Sequence, residues 1–169
     1  MLSSYNVDSD NSCYCSIDGV IYSKDKTKIE MVPKTSNLTS FEIPSFVSVI
    51  DDGAFGYCTE IESITIPDSV TTIGAGAFYN CRKLKTLVVP KNVTSIGSDA
   101  CYRCDSLVSI TLPKALSSIG LAAFSQCNNL ENIVYEGTIE EWNNIEHHSW
   151  WLYGAKTDVV HCSDGDVSF

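Results

Sequence analysis

The stretch IPDSVTTIGAGAFYNCRKLKTLV, residues 66–88, sets the register of this 169-residue chain, because its pattern returns at intervals of 23 residues. An apolar residue followed by proline opens each unit, at Ile43-Pro44, Ile66-Pro67, Val89-Pro90 and Leu112-Pro113. An alanine and a cysteine recur at the same interval, at Ala54, Ala77, Ala100 and Ala123 and at Cys58, Cys81, Cys104 and Cys127. A fixed period in the low twenties is typical of a solenoid, in which each unit buries its apolar side against the next unit.

Each unit is predicted to contain two short strands. Ile64-Thr65-Ile66 and its counterparts alternate apolar and polar residues, which is the pattern of a strand with one buried face. The proline that follows ends the strand because it has no N–H to donate. A second extended piece, such as Val70-Thr71-Thr72-Ile73, comes next, and Gly74, Gly97 and Gly120 lie where the chain turns out of it.

The Ala-Phe-x-x-Cys stretch of each unit has the spacing of one helical turn. It is too short for an isolated helix, so the sequence predicts a single helical turn that is held in place by packing. Stacked units would align like residues in columns, one of isoleucine, one of phenylalanine and one of cysteine. Cys101 takes the place of phenylalanine in its unit, between Phe78 and Phe124.

The length of the chain fits a single domain, residues 1–169. Four full units occupy residues 43–133, after a lead-in segment or N-terminal cap of residues 1–42 and before a C-terminal cap of residues 134–169. The predicted fold class is therefore an α/β solenoid of 23-residue units with short parallel strands and single helical turns, capped at both ends.

The pattern of residues 43–133 resembles the BspA-like, Treponema-type class of leucine-rich repeats. Residues 19–25, and residues 135–142 with 162–165, resemble the lead-in and closing segments of that family. The resemblance implies a right-handed leucine-rich repeat in an exported protein, extracellular or attached to the cell surface, of a mucosal bacterium or parasitic protist. Characterised members adhere to host matrix proteins or to other cells. Residues 1–6 lack the features of a signal peptide, so the surface location is inferred from the resemblance alone.

Composition and charge argue against two classes of partner. The formal net charge is −10, with only 11 lysines and arginines, whereas nucleic acids and anionic lipids demand a positive surface. The longest apolar run is far shorter than a transmembrane helix, so membrane insertion is not expected.

The four cysteines at the 23-residue interval are predicted to be buried free thiols. Neighbouring Cβ atoms in such a column would lie about 4.8 Å apart, farther than the roughly 3.8 Å that a disulfide prefers. Cys101 and Cys104 form a C-x-x-C pair, but a zinc site would need two more ligands. The state of Cys13, Cys15 and Cys162 is left open.

No set of polar residues predicts catalysis. His147, His148 and His161 are the only histidines, and none has a neighbouring nucleophile together with a third group to orient it. We therefore expect no enzyme activity, no cofactor and no metal.

Two surfaces are candidates for partner binding. The first, which we call the strand face, is the small, polar, nearly uncharged outward side of the strands: Ser63, Thr65, Thr86, Val88, Ser109, Thr111, Asn132 and Val134. The second is the C-terminal cap, which holds all three tryptophans, Trp142, Trp150 and Trp151. Tryptophan is common at binding hot spots, but large aromatic residues also seal the open end of a solenoid. We expect these residues to act as a cap first and as a binding site second.

The predicted function is that of a non-enzymatic recognition module, a secreted or cell-surface adhesion and host-interaction protein that binds a protein or glycan. The alternative is a structural or spacer segment of a larger surface protein. Binding by the isolated chain would separate the two.

Overall fold

The computed structural model describes residues 4–34 and 37–169, and within them the chain winds into a solenoid whose coils pair mainly in parallel along two sides. Residues 1–3 and 35–36 of the predicted lead-in segment lie outside the described residues. Each coil contributes one strand to each sheet, so the two short strands predicted for every unit are confirmed.

The first sheet has eight strands in the order β1-β2-β3-β5-β7-β9-β11-β13. Its strands are β1 Tyr14–Ile17, β2 Val20–Ser23, β3 Lys28–Met31, β5 Val49–Ile50, β7 Thr72–Ile73, β9 Ser95–Ile96, β11 Ser118–Ile119 and β13 Glu146–His147. The first three strands pair antiparallel, and from β3 onwards every pairing is parallel. The lead-in segment is therefore a meander that extends the sheet of the coils.

The second set of strands carries the strand face. It comprises a five-stranded sheet, β15-β14-β12-β10-β8, and a parallel pair, β4 and β6. Its strands are β4 Ser40–Glu42, β6 Ser63–Thr65, β8 Thr86–Val88, β10 Ser109–Leu112, β12 Asn132–Tyr135, β14 Val159–Cys162 and β15 Gly165–Ser168. Between β12 and β13 lies α1, Ile139–Asn143, the one helix of the described residues.

The predicted columns run through the core. Phe55 and Phe78 stack with ring centroids 5.5 Å apart, and Phe41 and Trp151 extend the aromatic column beyond Phe55 and Phe124. Cys101 is buried in the same column, as its sequence position predicts. Because parallel strands hold like residues in register, each side chain packs on its counterpart in the next coil.

The Ala-Phe-x-x-Cys stretches are not helical, which corrects the single helical turns predicted from their spacing. Residues 75–80 and their counterparts form hydrogen-bonded turns instead. The backbone N–H of Phe78 donates to Ala100 O at 2.7 Å, and that of Asn80 donates to Tyr102 O at 2.7 Å. The N–H groups between them bond within the stretch, as Tyr79 N does to Gly76 O at 2.9 Å, so alternate donors leave for the next coil and no continuous helical ladder can form.

Glycine is required where consecutive coils cross most closely. A Cβ atom on Gly97 would lie 2.5 Å from the backbone of both Gly74 and Ala75, and one on Gly120 would lie 2.5 Å from Ser98 N. Asp51, the residue at this position in the first unit, follows β5, whose neighbour β3 belongs to the lead-in meander.

Candidate partner-binding surfaces

The strand face lies where the sequence predicts it, on the outward side of β6, β8, β10 and β12. Ser109 pairs with Thr86 on one side and with Asn132 on the other. Thr111 pairs in the same way with Val88 and Val134, so the residues form two columns across successive coils. Five of the eight are exposed and Ser109, Thr111 and Val134 are half-buried.

The electrostatics of the strand face are close to neutral. Lysines beside it pair with acids of the preceding coil: Lys85 Nζ lies 2.6 Å from Glu62 Oε2, and Lys83 Nζ lies 2.7 Å from Glu60 Oε2. Asn132 Nδ2 lies 3.3 Å from Ser109 Oγ, within the first column. The face therefore offers hydroxyl and amide groups with small apolar side chains between them, a chemistry that suits binding better than catalysis.

The structure separates the three tryptophans of the C-terminal cap. Trp142 and Trp151 are 1% and 6% exposed, and their ring centroids lie 5.8 Å apart. Trp150 is 67% exposed, although it is the immediate neighbour of Trp151. The two buried rings join the core, whereas the third is available to a partner.

Helix α1 places Trp142 in the core. Thr138 accepts a hydrogen bond from Glu141 N, and the Glu141 side chain accepts one from Thr138 N, which forms a capping box. This fixes the start of the helix, so that Trp142 packs against Tyr135 with ring centroids 5.3 Å apart.

Trp151 belongs to a fifth coil that the sequence period does not reveal. Phe55 N donates to Ala77 O, Phe78 N to Ala100 O, and Phe124 N to Trp151 O, so Trp151 occupies the position of the repeated alanines. The spacing to its counterpart in the preceding coil is 28 residues instead of 23, as in the bond from Ser125 Oγ to Tyr153 O. The five additional residues hide this coil from a search at constant period.

The exposed Trp150 borders a pocket of about 450 Å³, which we call the end pocket. Its walls include the aromatic residues Trp150, Trp151, Tyr153 and Phe169, and the exposed Asp158 is its one acidic lining residue. Trp150 and Tyr153 lie with ring centroids 5.3 Å apart. Tyr153 and Phe169 are exposed as well, so the end pocket is a sizeable apolar surface in an otherwise polar region.

Three tyrosines form a ladder along the side of the solenoid where the turns lie, which we call the turn edge. This ladder is not predicted in the sequence analysis. Tyr79 lies 5.3 Å from both Tyr57 and Tyr102, measured between ring centroids, and Lys34 Nζ lies 5.2 Å from the centre of the Tyr57 ring. The signal is present in the sequence, since Tyr79 and Tyr102 are 23 residues apart and Tyr57 is displaced by one position.

The column cysteines are buried, as predicted, and three of their thiols have backbone partners. Cys81 Sγ donates to Phe55 O at 3.1 Å, Cys104 Sγ to Phe78 O at 3.2 Å, and Cys127 Sγ to Cys101 O at 3.1 Å. Burial raises the pKa of the Cys58 thiol to about 11 and that of Cys81 further above its ordinary value. Each bond links one coil to the preceding one, which gives these thiols a structural role.

We expect the column thiols to resist labelling in the native protein. Iodoacetamide at neutral pH should modify the exposed Cys13 quickly and Cys58, Cys81, Cys104 and Cys127 only after denaturation. Peptide mass spectrometry of the labelled protein shows the order in which the cysteines are modified. A bridge between Cys81 and Cys104, or between Cys104 and Cys127, would contradict the prediction.

The same thiols make stability depend on pH in the alkaline range. A thiol whose pKa is raised by folding stays protonated in the folded protein while the unfolded chain ionises. The stability that such a thiol contributes is fully present below pH 9.0, the ordinary pKa of cysteine. It is lost as the pH rises towards about 11, the pKa of Cys58 in the folded protein. The melting temperature should fall across that window.

Within the described residues, the C-x-x-C cysteines, His147 and His161 lie in separate environments. Among residues 4–34 and 37–169, no three of the histidines, cysteines, aspartates and glutamates are placed to hold a metal ion. Cys101 and Cys104 are both buried, His147 packs against Trp142 and Trp151, and His161 Nδ1 lies 2.9 Å from Asp166 Oδ1. Within the same residues, no helix combines the length and apolar character needed to cross a bilayer.

Comparisons with known proteins agree with the geometry. The sequence profile described as "BspA type Leucine rich repeat region" matches residues 13–147 in 6 copies. The comparison with curated protein sequences gave no match.

Solved structures of bacterial repeat proteins share the fold. A leucine rich cell surface protein of Faecalibacterium prausnitzii is 27% identical with a TM-score of 0.67, over 83% of this chain and 44% of its own. A leucine-rich repeat protein of Eubacterium ventriosum is 25% identical with a TM-score of 0.67, over 98% and 57%. The Leucine Rich Repeat protein of T. pallidum, 24% identical with a TM-score of 0.67 over 88% and 67%, shows likeness of fold alone. The chain thus spans about half the length of the first two proteins.

Proposed function

The chain belongs to the BspA-type leucine-rich repeat family, and from this premise we propose that it is a non-enzymatic adhesion module, secreted or displayed at a cell surface. Its similarity to a leucine rich cell surface protein supports that location. The strand face binds the partner, a protein, and the rest of the solenoid holds this face in one shape.

The observation that carries the proposal is the neutral, in-register surface of the strand face. Across β8, β10 and β12 the first column carries a hydrogen-bonding side chain at each coil and the second alternates valine with threonine, while nearby lysines and acids neutralise one another. A rigid, regularly spaced surface lowers the entropy that association loses, because no loop has to become ordered. Low charge at the centre is also typical of protein interfaces.

A substitution on the strand face should weaken binding without loss of fold. Thr86→Arg places a long charged side chain at an exposed position on β8, and we expect at least tenfold weaker binding, about 1.4 kcal/mol. The probes are immobilised fibronectin, laminin and fibrinogen, each native and enzymatically deglycosylated, and the measurement is biolayer interferometry.

The matched control is Thr72→Arg, which makes the same change at an exposed position on β7 of the other sheet. It should bind like the parent protein. An equal loss in both variants would contradict the role of the strand face, and a loss on deglycosylation alone would identify a glycan as the ligand. No binding to any probe would favour the spacer role instead.

A further inference from the structure

The end pocket is a second surface that adhesion through the strand face does not explain. None of the eight strand-face residues lines it, and its lining comes from the fifth coil together with Asp158 and Phe169. Trp142 and Trp151 are the buried rings next to the last coil, which leaves Trp150 without a packing role of that kind.

Trp150 occupies a backbone position at which the preceding coils place small residues. Trp150 precedes Trp151 as Gly53, Gly76, Asp99 and Ala122 precede the repeated alanines, and all five residues have positive φ, between +52° and +70°. This left-handed conformation suits glycine and is unfavourable for a bulky side chain. The conformation belongs to the turn of every coil, but the fifth coil places a large aromatic ring there and leaves it 67% exposed.

The charge of the segment that forms the end pocket indicates the chemistry of its ligand. Residues 131–169 carry eight acids and one lysine, a formal charge of −7 with neutral histidines. That lysine, Lys156, is already paired, with its Nζ 2.9 Å from Glu131 Oε1. The pocket thus combines exposed aromatic rings with one acidic lining residue, Asp158, in a segment of net negative charge, which together favour a cation.

The turn edge of the same protein already shows this kind of contact. Lys34 Nζ lies 5.2 Å from the centre of the Tyr57 ring, within the range of a cation–π interaction. Trp150 presents a better ring for the purpose, because the larger indole binds cations more strongly than a phenol.

We propose that the end pocket binds an arginine or lysine side chain in a basic segment of a partner protein. The cation lies against the exposed rings of Trp150 and Tyr153, and Asp158 supplies the counter-charge. Binding at the end pocket does not require the strand face, so a variant can lose binding at one surface and keep it at the other.

The probe is a synthetic peptide in which arginines are separated by Gly-Ser pairs, and its twin carries citrulline, which is uncharged, at every arginine. Isothermal titration at low ionic strength should show binding of the arginine peptide at least tenfold tighter than that of its twin. Trp150→Gly should abolish this difference. That variant keeps the net charge and restores the residue found at Gly53 and Gly76, so its melting temperature should equal or exceed that of the parent.

Matched controls separate the end pocket from general attraction to an acidic protein. Asp158→Asn should weaken binding of the arginine peptide several-fold, whereas Asp166→Asn, which removes the same charge beside His161, should have little effect. Leu121→Ala truncates an exposed apolar side chain elsewhere and should bind normally.

Two results would overturn the proposal. One is unchanged binding of the arginine peptide by Trp150→Gly, or equal losses in the two aspartate variants. The other is a fall in melting temperature for Trp150→Gly as large as that of Trp151→Ala, which would make Trp150 a capping residue.

Discussion

Phe78→Ala is expected to lower the free energy of unfolding by about 3–5 kcal/mol. Phe78 is completely buried, stacks on Phe55 at 5.5 Å and has Cys101, rather than a third phenylalanine, on its other side. Its backbone is fixed by bonds to Ala100 O and from Cys104 Sγ, so the coil cannot collapse into the space that the ring leaves. Urea unfolding measures the loss as a lower midpoint at unchanged slope.

The matched control is Phe46→Ala, since Phe46 is 45% exposed and packs only at its edge against Tyr22, at 5.8 Å. We expect a loss of about 1 kcal/mol or less there. Equal losses at the two positions would show that the aromatic column is not a main source of stability.

Cys101→Phe tests the same column from the other side. Successive coils accommodate two rings at 5.5 Å between Phe55 and Phe78, so a phenylalanine between Phe78 and Phe124 should be tolerated or stabilising. A strong loss of stability would mean that the coil has closed around the smaller cysteine and that the added ring overpacks it.

The sequence predicts the strands and columns because in a solenoid burial repeats with the chain. Ile64, Leu87 and Ile110 occupy one buried position at a constant interval, and the alternation around each reads directly as a strand. A constant period fixes the register as well, since a slip by one residue would turn the apolar side outwards.

The turns escape prediction because every second backbone N–H in them bonds the next coil. The spacing of Ala77, Phe78 and Cys81 fits a helical turn, and the N–H groups of Ala77 and Cys81 do bond within the unit, but that of Phe78 donates to the next coil. Nothing within one unit distinguishes these two arrangements.

The end pocket escapes prediction because the period lengthens there. With 28 residues between Ser125 and its counterpart Tyr153, an extrapolation at constant interval cannot tell that Trp151 points inwards and Trp150 outwards. Sequence composition gives the two tryptophans the same role, although Trp151 is buried and Trp150 is exposed.

Deletion of residues 136–169 is expected to abolish the soluble monomer. It removes β14, which pairs Val160 with Ile133 of β12, and β13, which pairs His147 with Ile119 of β11. The edges of the two sheets would then pass from β13 and β15 to β11 and β12, and unpaired edges promote association with other chains.

The deletion also uncovers the last aromatic layer of the core. Phe124 loses the Trp151 ring at 6.1 Å and the carbonyl that accepts its N–H, while Tyr135 loses Trp142 at 5.3 Å. An end coil with a fully apolar face requires a cap in order to remain soluble. The truncated chain should therefore aggregate or associate end to end.

Light scattering coupled to size-exclusion chromatography measures the outcome, with two full-length variants as controls. Trp142→Ala removes one buried ring and should lower the free energy of unfolding by about 3–5 kcal/mol, whereas Trp150→Gly should remain a stable monomer. These controls distinguish a cap formed by the buried rings from a general effect of shortening the chain. A soluble truncated monomer that unfolds cooperatively would show that Trp142 and Trp151 do not cap the solenoid. All three tryptophans would then be better explained as residues that bind a partner.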